Sequence, residues 1–178
     1  MTRGELKALI RTIPDFPKAG IQFRDITTLL AHGEGLAASI DMLADMAAPL
    51  GATKVAGIEA RGFIFGTALA LRLGVGFVPL RKAGKLPVET IAEDYALEYG
   101  VATLELDPTI INDGEHVLVV DDLLATGGTA VAAANLLRRA GAVVNHALFV
   151  VDLPELSGSQ ALAEAQVEAR ALVEFSGH

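Results

Sequence analysis

The chain of 178 residues has no cysteine and no tryptophan, and aromatic residues make up only 5% of it. Without cysteine there is no disulfide framework and no thiolate metal site. With so few aromatics the core has to be built from Ala, Val, Leu and Ile. Together with 18 glycines, that suits close-packed layers of helix on sheet better than an aromatic-rich sandwich. No window of about 18 residues is free of charged or turn residues, so no membrane span is expected. The start carries Arg3, Glu5, Lys7 and Arg11 and no apolar run. It does not read as a secretory signal, and a cytoplasmic protein is the expectation. Positive charge is also scarce, with 14 Lys and Arg against 22 Asp and Glu for a net −8. That balance argues against a broad nucleic-acid or anionic-membrane surface but is compatible with a local cationic pocket.

What is present is apolar material. At 52% hydrophobic and 20% charged the chain can offset its conformational entropy, which excludes intrinsic disorder, and its length suits one domain. Leu36, Ile40, Leu43, Ala47 and Leu50 recur at helical spacing up to Gly51. A short apolar run at residues 54–58, a helical stretch at 60–73 closed by Gly74, and a second run at 76–80 predict a βαβ unit. Residues 81–100 are polar, carry Gly84 and Pro87, and read as a long excursion from the core. Ala102, Leu104 and Leu106 then alternate with Thr103, Glu105 and Asp107 as half of a β-hairpin with one wet face. The continuous apolar run 117–120 predicts a central parallel strand covered on both faces, ended by Asp121 and Asp122. After Gly127 and Gly128, residues Ala133, Leu136, Leu137 and Ala140 predict a helix, stopped by Gly141. Residues 147–151 follow as a buried strand. Val167, Ala169, Ala171, Val173 and Phe175 alternate as a late, half-exposed one. The expected class is α/β, with an open, mostly parallel sheet flanked by helices. Ligands of such sheets lie beyond the carboxyl ends of the strands. Attention therefore falls on residues 59–62, 81–82, 121–129 and 152–156.

Residues 117–129 read VLVVDDLLATGGT. Consecutive strand residues point to opposite faces, so Asp121 and Asp122 can meet one ligand only if the strand breaks there. Ala125, Thr126, Gly127, Gly128 and Thr129 open a helix whose unpaired N–H groups and hydroxyls suit a phosphate. Carboxylates beside a phosphate cradle point to a sugar phosphate. The plainer reading is an Asp-capped, Gly-turned connection with no ligand.

VVDDLLATGGT resembles the phosphoribosyl-diphosphate signature of the type I phosphoribosyltransferases, and nearly the whole chain is similar to the adenine-specific members of that family. The further motifs are Phe16-Pro17, Phe23-Arg24-Asp25-Ile26, Ala60-Arg61-Gly62-Phe63, Arg81-Lys82, Gly84-Lys85-Leu86-Pro87 and Leu97-Glu98-Tyr99-Gly100. The resemblance implies transfer of a 5-phosphoribosyl group from 5-phosphoribosyl 1-diphosphate to N9 of adenine, giving AMP and diphosphate. It implies Mg²⁺ held mainly by the substrate's diphosphate and ribose hydroxyls rather than by protein ligands, and a homodimer. It also implies a small amino-terminal hood at about residues 1–35 and a flexible β-hairpin lid at about 81–106. Within that picture Asp121 and Asp122 bind the ribose hydroxyls and residues 125–129 the 5-phosphate. Arg61 faces the diphosphate, Lys82 and Lys85 close over it, and Glu98 and Tyr99 reach the reacting centre. Phe23 stacks on the base, beside Arg24, and Leu156 lies on its other side with Asp152 behind. As bare residues Lys82 and Lys85 read equally as solvated loop charges, Glu98 as a solvated acid and Phe23 as a core aromatic.

Ala19 and Thr28 stand where the resemblance leads one to expect Pro, which loosens the hood. The P-loop and G-x-S-x-G patterns are absent, and Gly74-Val75-Gly76 is followed by Pro79 rather than the third Gly of a dinucleotide turn. His32, His116, His146 and His178 are scattered without ligand spacing. Two rivals stand beside the adenine reading: transfer to another purine such as hypoxanthine or xanthine, and a non-catalytic regulator that keeps the pocket as a sensor.

Overall fold

A computed structural model describes residues 1–96 and 100–177. The amino-terminal segment holds α1 (Arg3–Ala8), an antiparallel pair of β1 (Arg11–Pro14) and β2 (Gln22–Asp25), and the single turn α2 (Thr27–Leu30). The start of α1 is capped reciprocally, the Thr2 hydroxyl accepting from the Glu5 N–H and the Glu5 carboxylate from the Thr2 N–H. Then come α3 (Gly33–Ala47), β3 (Lys54–Ile58), α4 (Arg61–Leu73), β4 (Gly76–Lys82), β5 (Ile91–Ala96), β6 (Val101–Leu106) and β7 (Val117–Leu124). The chain continues through α5 (Gly128–Arg139), β8 (His146–Asp152), α6 (Gly158–Glu164) and β9 (Glu168–Glu174).

Seven strands form one sheet in the order β5-β6-β4-β3-β7-β8-β9. Strands β4, β3, β7, β8 and β9 are mutually parallel, while β6 runs antiparallel to both β4 and β5. From β3 the chain crosses to β4 on one side, and later enters β7 on the other side of β3. The order thus reverses between β3 and β7, and this is where an open α/β sheet leaves a crevice. One face is packed by α5 and α6 through Val117, Val119, Ala133, Leu136, Leu137 and Leu162. The other is packed by α1, α3 and α4 through Leu6, Leu43, Phe65, Leu69, Leu118 and Val120. Burial on both faces explains why β7 begins as an unbroken apolar run.

Four expectations need correction. Asp121 and Asp122 do not end their strand, because β7 stays paired to β8 through Leu124. Arg81 and Lys82 are the last residues of β4, paired with Glu105 and Leu104, so the polar excursion begins after them. Its second half returns as the β5–β6 hairpin, which extends the main sheet. Finally, the alternation of the last strand fails at its end, where Leu172 and Val173 are both buried in the same cluster. His32, unassigned from sequence, caps α3 by accepting from the Gly35 N–H at 3.1 Å.

Candidate active site

At the carboxyl ends of β3 and β7 the sheet opens into two adjoining cavities, both lined by Arg61, Asp122, Leu123, Ala125 and Thr126. The smaller, of about 180 Å³, is enclosed by the acid pair and by residues 125–129. The two acids reach it without the break that simple alternation demands. Up to Val120, odd residues of β7 face α5 and even ones α4, yet Leu123 packs with the α4 side and Leu124 with the α5 side. The ladder to β8 pairs Asp121 with Phe149 and then Leu123 with Val151, passing over Asp122. The register to β8 is the same before and after Asp122, so the facing of side chains changes within a continuously paired strand, and Asp121 and Asp122 both line the one cavity.

Asp122 is 5% exposed and accepts from Arg61 Nε at 2.5 Å. Arg61 opens α4 directly after β3, following a cis peptide between Glu59 and Ala60. Burial works against the Arg61 charge, but Asp122, with Asp121 near it, outweighs that and raises the guanidinium pKa. Asp121 Oδ1 accepts from the Asp122 N–H at 2.9 Å. Removal from water, and then the neighbouring charge of Asp122, push the Asp121 carboxyl well above the ordinary carboxylate range. Gly62 makes the approach possible, since a Cβ there would lie 2.8 Å from the Val120 carbonyl. Gly127 does the same for the loop before α5: its φ is +85°, and a Cβ would meet the Gly158 carbonyl at 2.8 Å. Neither α4 nor α5 has a side-chain cap at its amino end. Two sets of helix-end N–H groups thus flank the crevice, the arrangement that binds anions.

The larger cavity, of about 790 Å³, is mainly apolar and reaches from the acid pair to the amino-terminal segment. Phe23 on β2 and Leu156, in the turn Pro154–Leu156, both line it. Phe23 meets Phe16 edge to face at 5.2 Å between ring centroids. Arg24 also lines the cavity, but its guanidinium donates to the Thr12 hydroxyl at 2.5 Å and to the Ser176 carbonyl at 2.8 Å. Asp152 is buried behind this wall, its carboxyl pKa raised by burial, with Ser159 Oγ donating to it at 3.3 Å. Ala19 lines the cavity too. Thr28, where Pro was expected, donates its hydroxyl to the Leu9 carbonyl at 2.6 Å and so ties α2 to the end of α1, a bond Pro could not make.

Of the sequence-derived candidates, Arg61, Asp121, Asp122, residues 125–129, Phe23, Arg24 and Leu156 therefore converge. Lys82 and Lys85 are exposed and line neither cavity. Glu98 and Tyr99 lie outside the described residues. The strand leading to them, β5, ends at Ala96, whose carbonyl is 3.6 Å from where a Cβ on Gly128 would stand. Sequence reasoning missed Leu123, which lines both cavities and carried no signal beyond an apolar residue after the acids. It pointed to Glu59 as part of residues 59–62 but not to its partners: Glu59 Oε2 accepts from Arg81 Nε at 3.1 Å and from the Lys82 N–H at 2.8 Å, fastening the end of β4 beside the crevice. Among the described residues, no group of three or more His, Cys, Asp or Glu side chains could hold a metal ion, and no helix is long and apolar enough to cross a membrane.

A crevice at a strand-order reversal, with an acid pair on one side of a glycine-turned anion loop, defines a sugar-phosphate-handling α/β protein. The phosphoribosyl transferase domain model matches residues 22–158, and the chain belongs to the phosphoribosyltransferase family. Within it, the chain is 64% identical over the full length of both chains to the adenine phosphoribosyltransferase of Novosphingobium aromaticivorans. It superposes with a TM-score of 0.93 on the crystal structure of adenine phosphoribosyltransferase from Thermoanaerobacter pseudethanolicus, at 46% identity over 98% of this chain and 100% of that one. The enzyme from Saccharomyces cerevisiae, solved with an imino-altritol bisphosphate and adenine, matches with a TM-score of 0.88 at 36% identity, covering 96% and 98% of the two chains.

Proposed function

We infer that the protein is an adenine phosphoribosyltransferase: it transfers the 5-phosphoribosyl group of 5-phosphoribosyl 1-diphosphate to N9 of adenine, giving AMP and diphosphate in purine salvage. The bond from the anomeric carbon to diphosphate breaks, the bond to N9 forms, and the N9 proton is released. The observation that carries this reading is the pair of adjoining cavities, one acidic and rimmed by a phosphate loop, the other apolar and large enough for a purine, sharing Arg61 and Asp122.

In the smaller cavity residues 125–129 hold the 5-phosphate through helix-end N–H groups and the hydroxyls of Thr126 and Thr129, while Asp121 and Asp122 accept from the ribose hydroxyls. Arg61 and the uncapped end of α4 stabilise charge developing on the departing diphosphate. Mg²⁺ would be held mainly by the donor's diphosphate and ribose hydroxyls, next to Arg61 and the Asp121–Asp122 pair, and would supply neutralising charge for the leaving group. That charge would offset a protein net charge of −8, and Lys82 and Lys85 add to it when the excursion beyond Lys82 closes over the donor and excludes water, while β6 stays paired to β4 in the main sheet. Glu98 manages the proton of the reacting base and Tyr99 helps position the diphosphate. In the larger cavity Phe23 and Leu156 pack against the base. Neighbouring backbone groups of residues 21–25, under the hood of residues 1–35, select the exocyclic amine of adenine over the oxo group of hypoxanthine. The protein acts in the cytoplasm as a homodimer.

The test is to supply the donor and Mg²⁺ with adenine, hypoxanthine, xanthine or guanine in separate reactions and to measure nucleotide and diphosphate. AMP from adenine alone is expected. Donor binding without turnover on any base would replace the enzyme with a sensor. Glu98→Gln is expected to lower turnover about 10²-fold, and a change within about twofold would remove Glu98 from the mechanism.

A further inference from the structure

The last described residues link the two walls of the larger cavity. The Phe175 N–H donates to the Asp152 carbonyl at 3.0 Å. The Phe175 ring is approached by two cations, Lys7 Nζ of α1 and the Arg24 guanidinium of β2, each 4.7 Å from its centroid. Beyond it, Arg24 Nη2 donates to the carbonyls of Ser176 at 2.8 Å and Gly177 at 3.3 Å, and the Gly177 N–H donates to Glu155 Oε1 at 3.0 Å. Arg24 follows Phe23 in sequence, and Glu155 precedes Leu156. The segment 175–177 thus joins the residue beside one wall of the cavity to the residue beside the other.

The remaining hydrogen bonds described for the side chains at the end of β2 are local. Arg24 bonds Thr12, and Asp25 bonds Arg11 and Thr27. Because β2 pairs only with β1 and not with the main sheet, its distance from the turn Pro154–Leu156 is not set by any ladder. Arg24 supplies such a constraint, its Nη2 donating to two successive carbonyls while its Nη1 holds the Thr12 hydroxyl on β1. None of residues 175–177 lines either cavity of the crevice, so the segment acts through Phe23 and Leu156 and not on a ligand directly.

We propose that residues 175–177 are a positioning element that sets the spacing of Phe23 and Leu156, so that purine affinity depends on this segment while phosphoribosyl affinity does not. The proposal rests on the base-site reading given above. It is tested by calorimetric titration of AMP and of ribose 5-phosphate into the full chain, into a variant lacking residues 176–178, and into Glu155→Ala and Glu155→Gln. The shortened variant is expected to bind AMP about tenfold more weakly, as befits lost preorganisation rather than a lost contact, with ribose 5-phosphate affinity unchanged. Glu155→Ala follows it in direction, and Glu155→Gln, which keeps an acceptor oxygen for the Gly177 N–H, loses less. Unchanged AMP affinity in both the shortened variant and Glu155→Ala would overturn the proposal, as would an equal loss for both ligands. An unaltered chain that binds AMP no more tightly than ribose 5-phosphate would remove the base-site reading itself, and this inference with it.

Discussion

The acid-lined side of the crevice, proposed for the phosphoribosyl group, comes mainly from one stretch, residues 117–129, in which a buried strand runs into a helix through a glycine turn, with Arg61 added from α4. The apolar side, proposed for the base, draws on β2 and on the turn Pro154–Leu156, tied together through the segment 175–177 from opposite ends of the chain. The first is held by ladders on both sides of β7 and by two packed faces. The second is held by side-chain contacts across a small separate sheet. On the proposed reading, the ladder-held framework would carry the phosphoribosyl group and the region held by side-chain contacts the base. Localised anion binding needs fixed N–H geometry, whereas a flat apolar base needs two surfaces at the right spacing.

The sharpest way to break this contrast is at Gly127. Its φ of +85° and the 2.8 Å approach to the Gly158 carbonyl leave no room for a side chain. Gly127→Val is expected to cut kcat/KM about 10²-fold or more through misplacement of the phosphate. Steady-state kinetics with either substrate varied should show the loss whichever is held saturating. On the base side, Phe23→Ala removes one surface and leaves the loop alone. The adenine KM is expected to rise about tenfold with the donor KM unchanged, and an equal rise in both would mean that the two sides are not separable.

The two sides also differ in how their acids titrate. Hydrogen bonds from Thr27 and then from Arg11 lower the Asp25 carboxyl from its ordinary 3.8 to about 2. Asp25 therefore contributes stability above about pH 4 that is lost as the pH falls towards 2. Asp121 is shifted the other way by burial and by Asp122, so its ionised form opposes folding, and that cost is present once the pH has risen through its folded-state pKa. Thermal melts across pH should show Asp121→Asn more stable than the parent at neutral pH, though weaker in donor binding. Asp25→Asn should be less stable there, with its deficit vanishing near pH 2. A destabilised Asp121→Asn would show that the acid pair is no strained site.

Much of the framework was legible because periodicity reports burial. The helix before Gly51, the strands at 54–58 and 76–80 and the helix ending at Gly74 coincide closely with α3, β3, β4 and α4. The acid pair and its glycine loop were legible because they are contiguous. The change of facing after Asp122 in β7 was not, because the same letters fit a strand that ends at Asp121, and only the packing of Leu123 and Leu124 against opposite layers shows that the strand continues. The two strands of the amino-terminal segment were also hidden: β1 and β2 are short, β1 mostly exposed and β2 half-buried, without a periodic apolar pattern. The sequence pointed to Glu59 by its place after a buried strand but not to its role, since its partners Arg81 and Lys82 lie 22 and 23 residues away.

By itself the sequence determined the α/β class, the central buried strand and the anion loop, because those depend on local pattern: apolar runs, glycines at the turns and acids next to them. Only the tertiary structure decided that Arg61 pairs with Asp122, that Phe23 and Leu156 face one cavity, and that Arg24 holds residues 176 and 177. Those are contacts between segments far apart in the chain. Which distant side chains meet is set by strand order and crossover in the sheet, and that order is not written in any local run of residues.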